Sequence, residues 1–281
     1  MNRTGLVLEG GGMRGVYTAG VLEYFLEQEF HIPHVTGVSA GASIGASYVS
    51  RQRGRNEKIT IGYIDDPRYI GIGNWFRERS LFGMDFVFGE LPNVLVPLDY
   101  KTFHSPDQQF WIGTTDCRTG QARFFHKNES DDVLRVVRAS SSLPIISPIV
   151  EIDRVPYLDG GISEPIPVAK SEQDGNERHI IVLTREAGYR KTPSRMSWLN
   201  KRLFRQYPRL VETMERRHKH YNDTLDRISA MEKDGTAFVF RPEYARKVGR
   251  MEKDKRKLTA LYQEGYEAAK RRFAELNAWL A

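Results

Sequence analysis

Three short stretches of this chain hold residue types whose spacing could do chemistry. The first runs LVLEGGGMRG from Leu6 to Gly15, placing Gly10, Gly12 and Gly15 in the G-x-G-x-x-G spacing. Glycines after a strand allow close backbone approach, and the next helix adds a partial positive charge, so the loop suits an anion. A dinucleotide pyrophosphate would also need an acidic residue at the end of the following strand, to bond the ribose hydroxyls. No Asp or Glu lies between residues 30 and 56, and no Gly-Lys-Ser/Thr follows the glycines. Both familiar nucleotide loops are thereby disfavoured.

The second stretch is Gly37-Val38-Ser39-Ala40-Gly41, between an apolar segment and a run of small residues. A G-x-S-x-G turn between strand and helix pushes the serine hydroxyl out of the sheet, and its small neighbours avoid clashes. A serine nucleophile needs a proton acceptor and donors for the developing oxyanion. Backbone N–H groups of the loop Gly10, Gly11, Gly12, Met13, Arg14 and Gly15 can supply the donors. Arg14, in the first turn, either steadies the loop or meets a lipid phosphate. The third stretch, VPYLDGG, ends a strand on Asp159, followed by Gly160 and Gly161.

Taken together, in this order, the three resemble the signature of the patatin-like phospholipase family: a G-G-G-x-R/K-G loop, a G-x-S-x-G elbow and a D-G-A/G motif. ASSSLPIISPIV (139–150) also looks like that family's Ala-Ser-x-x-x-Pro segment. The resemblance covers about residues 4–185. It implies a three-layer α/β/α sandwich with a largely parallel sheet. It further implies a Ser39–Asp159 dyad with Ser39 as nucleophile and Asp159 as general base, the 10–15 loop with Ala40 as oxyanion hole, and an acyl-serine intermediate. No metal or cofactor is implied. The expected substrate is a lipid ester, and the alternative is a catalytically quiet module that binds lipid or a partner protein. An aspartate at its ordinary pKa of about 3.9 is a poor base at neutral pH, so a dry site must raise it. A Ser–His–Asp triad would need a histidine after the acid; His179, His218 and His220 qualify by order alone.

These residues need elements to hold them. Residues 4–9 suit a buried strand and 16–30 a helix. QQFWIGTTD and QARFFH suit a hairpin around Arg118-Thr119-Gly120. The stretch DDVLRVVRASSSLP suits a helix stopped by Pro144, and RHIIVLT another strand. Residues 60–100, rich in Gly, Pro and aromatics, suit short helices and loops covering a site, with Trp75, Phe76, Phe82, Phe86 and Phe88 as core or as walls of an acyl groove. Glycine turns, strands and helices in alternation argue for an α/β fold. Beyond about residue 190 the apolar spacing turns helical, with TAFVFRP (236–242) as one more strand, so the chain divides into a 1–190 hydrolase domain and a 191–281 helical extension.

Charge follows the same division. Residues 1–189 hold 19 Lys and Arg against 24 Asp and Glu; residues 190–281 hold 23 against 12. The basic extension suits a solvated face or peripheral contact with an anionic inner membrane surface. No nucleic-acid motif accompanies the charge, so no nucleic-acid partner is expected. A single cysteine, Cys117, excludes an intrachain disulfide or a multi-cysteine metal site and suits the reducing cytoplasm. No apolar run is long enough to span a bilayer, and Glu9 interrupts the N-terminal apolar stretch, so neither a membrane span nor a signal peptide is expected.

Overall fold

A strand covered on both faces must be apolar on both, and three stretches of this chain meet that demand. Leu6, Leu8, Ile180, Val182, Phe238 and Phe240 belong to one buried cluster, while Val7, Ile181, Leu183 and Val239 belong to another. The alternation has the period of two that a strand imposes. The computed structural model describes residues 3–243 and 248–281. Its strands are β1 (Thr4–Leu8), β2 (His34–Val38), β3 (Gln109–Asp116), β4 (Ala122–His126), β5 (Val150–Ile152), β6 (Val155–Asp159), β7 (Arg178–Val182) and β8 (Ala237–Phe240). All belong to one sheet of order β5-β6-β3-β2-β1-β7-β8, with β4 on the far edge of β3. The run β3-β2-β1-β7-β8 is parallel; β4 and β6 are antiparallel to β3, and β5 to β6.

Ten α-helices accompany the sheet among the described residues: α1 (Val16–Glu27), α2 (Ala40–Val49), α3 (Arg55–Glu57), α4 (Ile72–Glu78), α5 (Tyr100–Phe103), α6 (Val133–Ser140), α7 (Val168–Gln173), α8 (Ser197–Leu203), α9 (Pro208–Lys233) and α10 (Lys255–Leu280). Apolar residues of α1, α2, α6 and α10 pack on the face of Leu6 and Leu8. Those of α7 and α9 cover the face of Val7 and Ile181. The result is a three-layer α/β/α sandwich with a helical C-terminal extension. That extension contributes to every layer: α9 to one, β8 to the sheet edge, and α10 to the other. None of the helices among the described residues is long and apolar enough to cross a membrane.

The anticipated hairpin is β3–β4, and α6 ends well before Pro144. The strand β5 was not anticipated. It forms a tight hairpin with β6 through Asp153 and Arg154, both at positive φ. Between residues 58 and 98 the chain forms short helices and two π-helical segments, Lys58–Gly62 and Phe86–Leu95, the latter around Pro92. Such widened turns concentrate at functional sites.

The packing of α10 on α1 requires glycine at the crossing. A Cβ on Gly20 would lie 2.0 Å from the Tyr262 carbonyl oxygen, and one on Gly265 2.1 Å from that of Tyr17. Helix propensity alone would favour alanine at both positions by about 1 kcal/mol. Overpacking opposes this at roughly 1–3 kcal/mol. Gly20→Ala and Gly265→Ala are therefore each expected to lower the denaturant midpoint; a midpoint equal to or above wild type would mean that the helices separate freely.

Candidate active site

β3 offers one edge to two strands in succession. β2 takes its first half, with Val38 opposite Gly113, and β6 its second, with Asp159 opposite Thr114. β4 pairs with Trp111 through Thr115 and so occupies the other edge. Since β2 runs parallel to β3 and β6 antiparallel, their C-terminal ends meet head-on. The register therefore brings Ser39, just past one strand, beside Asp159, the last residue of the other. The junction is tight: a Cβ on Gly160 would lie 2.1 Å from the Gly113 carbonyl oxygen.

Serines at the end of α6 brace both strand ends. Ser140 Oγ accepts from the Ser39 N–H at 2.8 Å and donates to the Gly113 carbonyl at 2.6 Å. The Asp159 N–H donates to the Ser142 carbonyl at 2.8 Å. Ser39 itself has φ 54° and ψ −124°, a conformation that costs a non-glycine residue on the order of 1–3 kcal/mol. The turn is held by contact, because a Cβ on Gly41 would lie 2.4 Å from the Leu8 carbonyl oxygen. Gly37, Val38, Ala40 and Gly41 thus shape a sharp strand-to-helix elbow with Ser39 at its tip.

The glycine loop forms a 3-10 turn over Gly12–Gly15 that leads into α1. Its donors are not equivalent. The Gly10 N–H is given to the Pro165 carbonyl at 3.2 Å and the Met13 N–H to the Arg250 carbonyl at 3.0 Å. The N–H groups of Gly11, Gly12 and Ala40 have no acceptor among the described residues. Of the loop's six candidate N–H groups, those of Gly10 and Met13 are thus taken, while those of Gly11 and Gly12 stay free among the described residues.

Asp159 is buried, and burial pushes its carboxyl above the ordinary range. The Ser39 hydroxyl, the Arg217 guanidinium, the Gly161 N–H and Arg250 act in the opposite sense, in that order. Oδ1 accepts from the Gly161 N–H at 2.7 Å. Oδ2 is buried with no partner at standard hydrogen-bond geometry, although the Ser39 hydroxyl is near enough to favour the carboxylate. Arg217, from α9, donates through Nε to the Gly161 carbonyl and so fixes the Asp159-Gly160-Gly161 turn from outside. Nothing local in the sequence distinguished Arg217 from its neighbours in a charged helix.

An apolar pocket opens beside Ser39. Gly12, Met13 and Ala40 line it together with Phe82, Met84, Phe88 and Leu134. Of the five aromatics expected as core or wall, Phe82 and Phe88 line the pocket, Phe86 is core, and Trp75 and Phe76 are exposed. None of the three histidines hydrogen-bonds to Ser39 or Asp159. His179 faces Ser171 Oγ at 3.1 Å, His218 the Glu215 carbonyl, and His220 the Glu164 carboxylate. His179 also pairs with Gly5 near the start of β1, at the opposite end of the sheet from Ser39.

The family described as patatin-like phospholipase matches residues 6–170, and a domain of unknown function, DUF6363, matches residues 207–281. Similar proteins include the uncharacterized protein YjjU of Escherichia coli, 28% identical, over 80% of this chain and 65% of the relative. An uncharacterized NTE family protein of Mycobacterium tuberculosis is 26% identical over 59% of this chain and 45% of its own. Lysophospholipase nte1 of Emericella nidulans is 30% identical over 59% of this chain and 11% of its own. This chain therefore spans less than two thirds of each of these relatives. The crystal structure of VipD from Legionella pneumophila covers 96% of this chain and 66% of that one, with a TM-score of 0.48 and 12% identity.

The raised pKa of Asp159 has a consequence for stability. A carboxyl that holds its proton more tightly folded than unfolded loses stability as pH rises through the interval between the two values. Above that interval the cost of burying the charge is fully present; below it, absent. Asp159→Asn is therefore expected to be more stable than wild type at neutral pH, with the difference vanishing below about pH 4. Denaturant midpoints across that range check this, and a gap that widens toward acid pH would contradict it.

Proposed function

The chain belongs to the patatin-like phospholipase family, and from that membership and the Ser39–Asp159 arrangement we propose a serine acyl hydrolase acting on carboxylic esters of lipids. The observation that carries the proposal is the strained, buried Ser39 elbow set against a buried Asp159 oxygen that has no other partner. Ser39 Oγ attacks the ester carbonyl carbon as its proton passes to Asp159 Oδ2. The carbonyl oxygen, now negative, is received by the free N–H groups of Gly11 and Gly12 with help from Ala40. Such donors cost little reorganisation because the loop and elbow already hold them in place. Collapse of the tetrahedral adduct breaks the ester C–O bond, and the leaving alcohol takes the proton from Asp159. A water then repeats the sequence on the acyl-serine, with Asp159 again as base, and frees the fatty acid.

Burial supports this role for Asp159, since it lifts the carboxyl toward the working pH and brings its basicity nearer to what proton transfer needs. The apolar pocket next to Ser39 supports a fatty acyl chain as the group held during reaction. Arg14 and Met13 serve the loop differently. Met13 fixes its shape through Arg250, and Arg14 is buried beside it.

A fluorophosphonate probe tests the proposal. Wild type is expected to be labelled, and Ser39→Ala to lose both labelling and hydrolysis of a p-nitrophenyl acyl ester by about three orders of magnitude or more. Asp159→Asn is expected to retain the fold and fall comparably in kcat. Labelling that persists in Ser39→Ala, or wild type that is neither labelled nor active, would overturn it.

A further inference from the structure

Five cations, most of them from outside the three motifs, lie near one another, and Arg217 and Arg250 among them act on Asp159. Arg14 follows the glycine loop; Arg185 and Lys191 follow β7; Arg217 lies on α9; and Arg250 closes over Met13. None of the five forms an ion pair with a described acid, although ion pairs are common elsewhere on this chain. The Arg14, Arg185 and Arg250 guanidinium groups make no hydrogen bond to any described residue. Arg14 is only 5% exposed, and its buried Nε has no partner. Burying an unpaired charge is costly, so a guanidinium held this way is one that awaits an anion.

The acids facing these groups are Glu9 and Asp159. Both Glu9 oxygens are already occupied, by the Thr184 N–H and by the Tyr221 hydroxyl at 2.7 Å. Aromatic rings hold two of the cations in place. Arg185 lies over the Tyr189 ring at 4.1 Å, Lys191 over the Tyr221 ring at 5.4 Å, and the two rings meet edge to face.

We propose that this cluster is a subsite for a terminal phosphate on an acyl-ester substrate, with Arg14, Lys191, Arg217 and Arg250 as its donors. The proposal rests on the acyl-hydrolase function given above. Gly12 and Met13 line the apolar pocket, and the next residue, Arg14, enters the cluster. An amphiphile with its chain in the pocket and a phosphate on the cluster therefore lays its ester bond across Ser39. Guanidinium groups match phosphate oxygens in pairs, and a terminal phosphate carries more charge than a diester. The mutual repulsion of these cations is evident in their acidities. Burial, with Arg217, Arg250 and Arg14 behind it, pushes Lys191 down to about 7. Burial, Arg185 and Arg250 bring Arg14 down to about 10.

The full-length chain is tested in two ways. First, kcat/KM is compared for an acyl glycerol phosphate and the uncharged monoacylglycerol of the same chain. Wild type is expected to favour the phosphate ester by about ten- to a hundredfold, the range of one charge-assisted bond. Lys191→Gln and Arg250→Gln are expected to bring that ratio toward one, while Lys201→Gln, on the surface beside Glu215, leaves it unchanged. Second, calorimetry on Ser39→Ala measures binding of both lipids below their aggregation limits and of inorganic phosphate alone. Tighter binding of the acyl glycerol phosphate than of the monoacylglycerol, lost in the Ser39→Ala/Lys191→Gln double variant, supports the subsite even if no ester is turned over. That outcome would place the failure in the hydrolase function instead. Equal binding of the two lipids would overturn the proposal, as would binding of inorganic phosphate without discrimination between them.

Discussion

The head-on meeting of β2 and β6 along one edge of β3 is the constraint on which the rest of this structure depends. Backbone pairing sets Val38 opposite Gly113 and Asp159 opposite Thr114, so the two ends are fixed to within one residue. A slip of one residue in either strand would turn every side chain to the other face and carry Ser39 or Asp159 away from the junction. The tight contact at Gly160 and the two bonds of Ser140 follow from the same geometry. Each closes the small gap left where two strands share an edge without overlapping.

Around that junction the molecule divides its surroundings by polarity. The π-helical segment Phe86–Leu95 and the helices α2 and α6 wall an apolar pocket beside Ser39. Arg217 and Arg250 act on Asp159 and, with Arg14 and Lys191, lie near one another without ion-pair partners among the described residues. Burial raises the proton affinity of Asp159, and the Ser39 hydroxyl, then Arg217, the Gly161 N–H and Arg250 lower it, with burial the larger effect. The polarity of the whole site therefore depends on parts of the chain far apart in sequence.

That division also explains what the sequence made legible. Strands β1, β2 and β6 were readable because apolar runs ending in glycine motifs have a local cause, and β7 because its apolar run is unbroken. The elbow at Gly37–Gly41 and the turn at Asp159–Gly161 were readable for the same reason, since short-range sterics select their residues. The π-helical turns were not, because they depend on what packs over them and leave no periodicity. Arg217 and Arg250 were also hidden. A cation in a charged segment looks solvated until the fold places it against Gly161 or Met13. The loop showed six candidate N–H groups, and only tertiary structure revealed that Pro165 and Arg250 take two of them.

The bond from the Met13 N–H to the Arg250 carbonyl has a further consequence for synthesis of the chain. Ser39 and Asp159 leave the ribosome long before residue 250, and α10, which packs on α1, later still. Until then the glycine loop lacks its clamp and α1 lacks its cover. During synthesis the loop therefore stays unfinished until residue 250 and then α10 have been made.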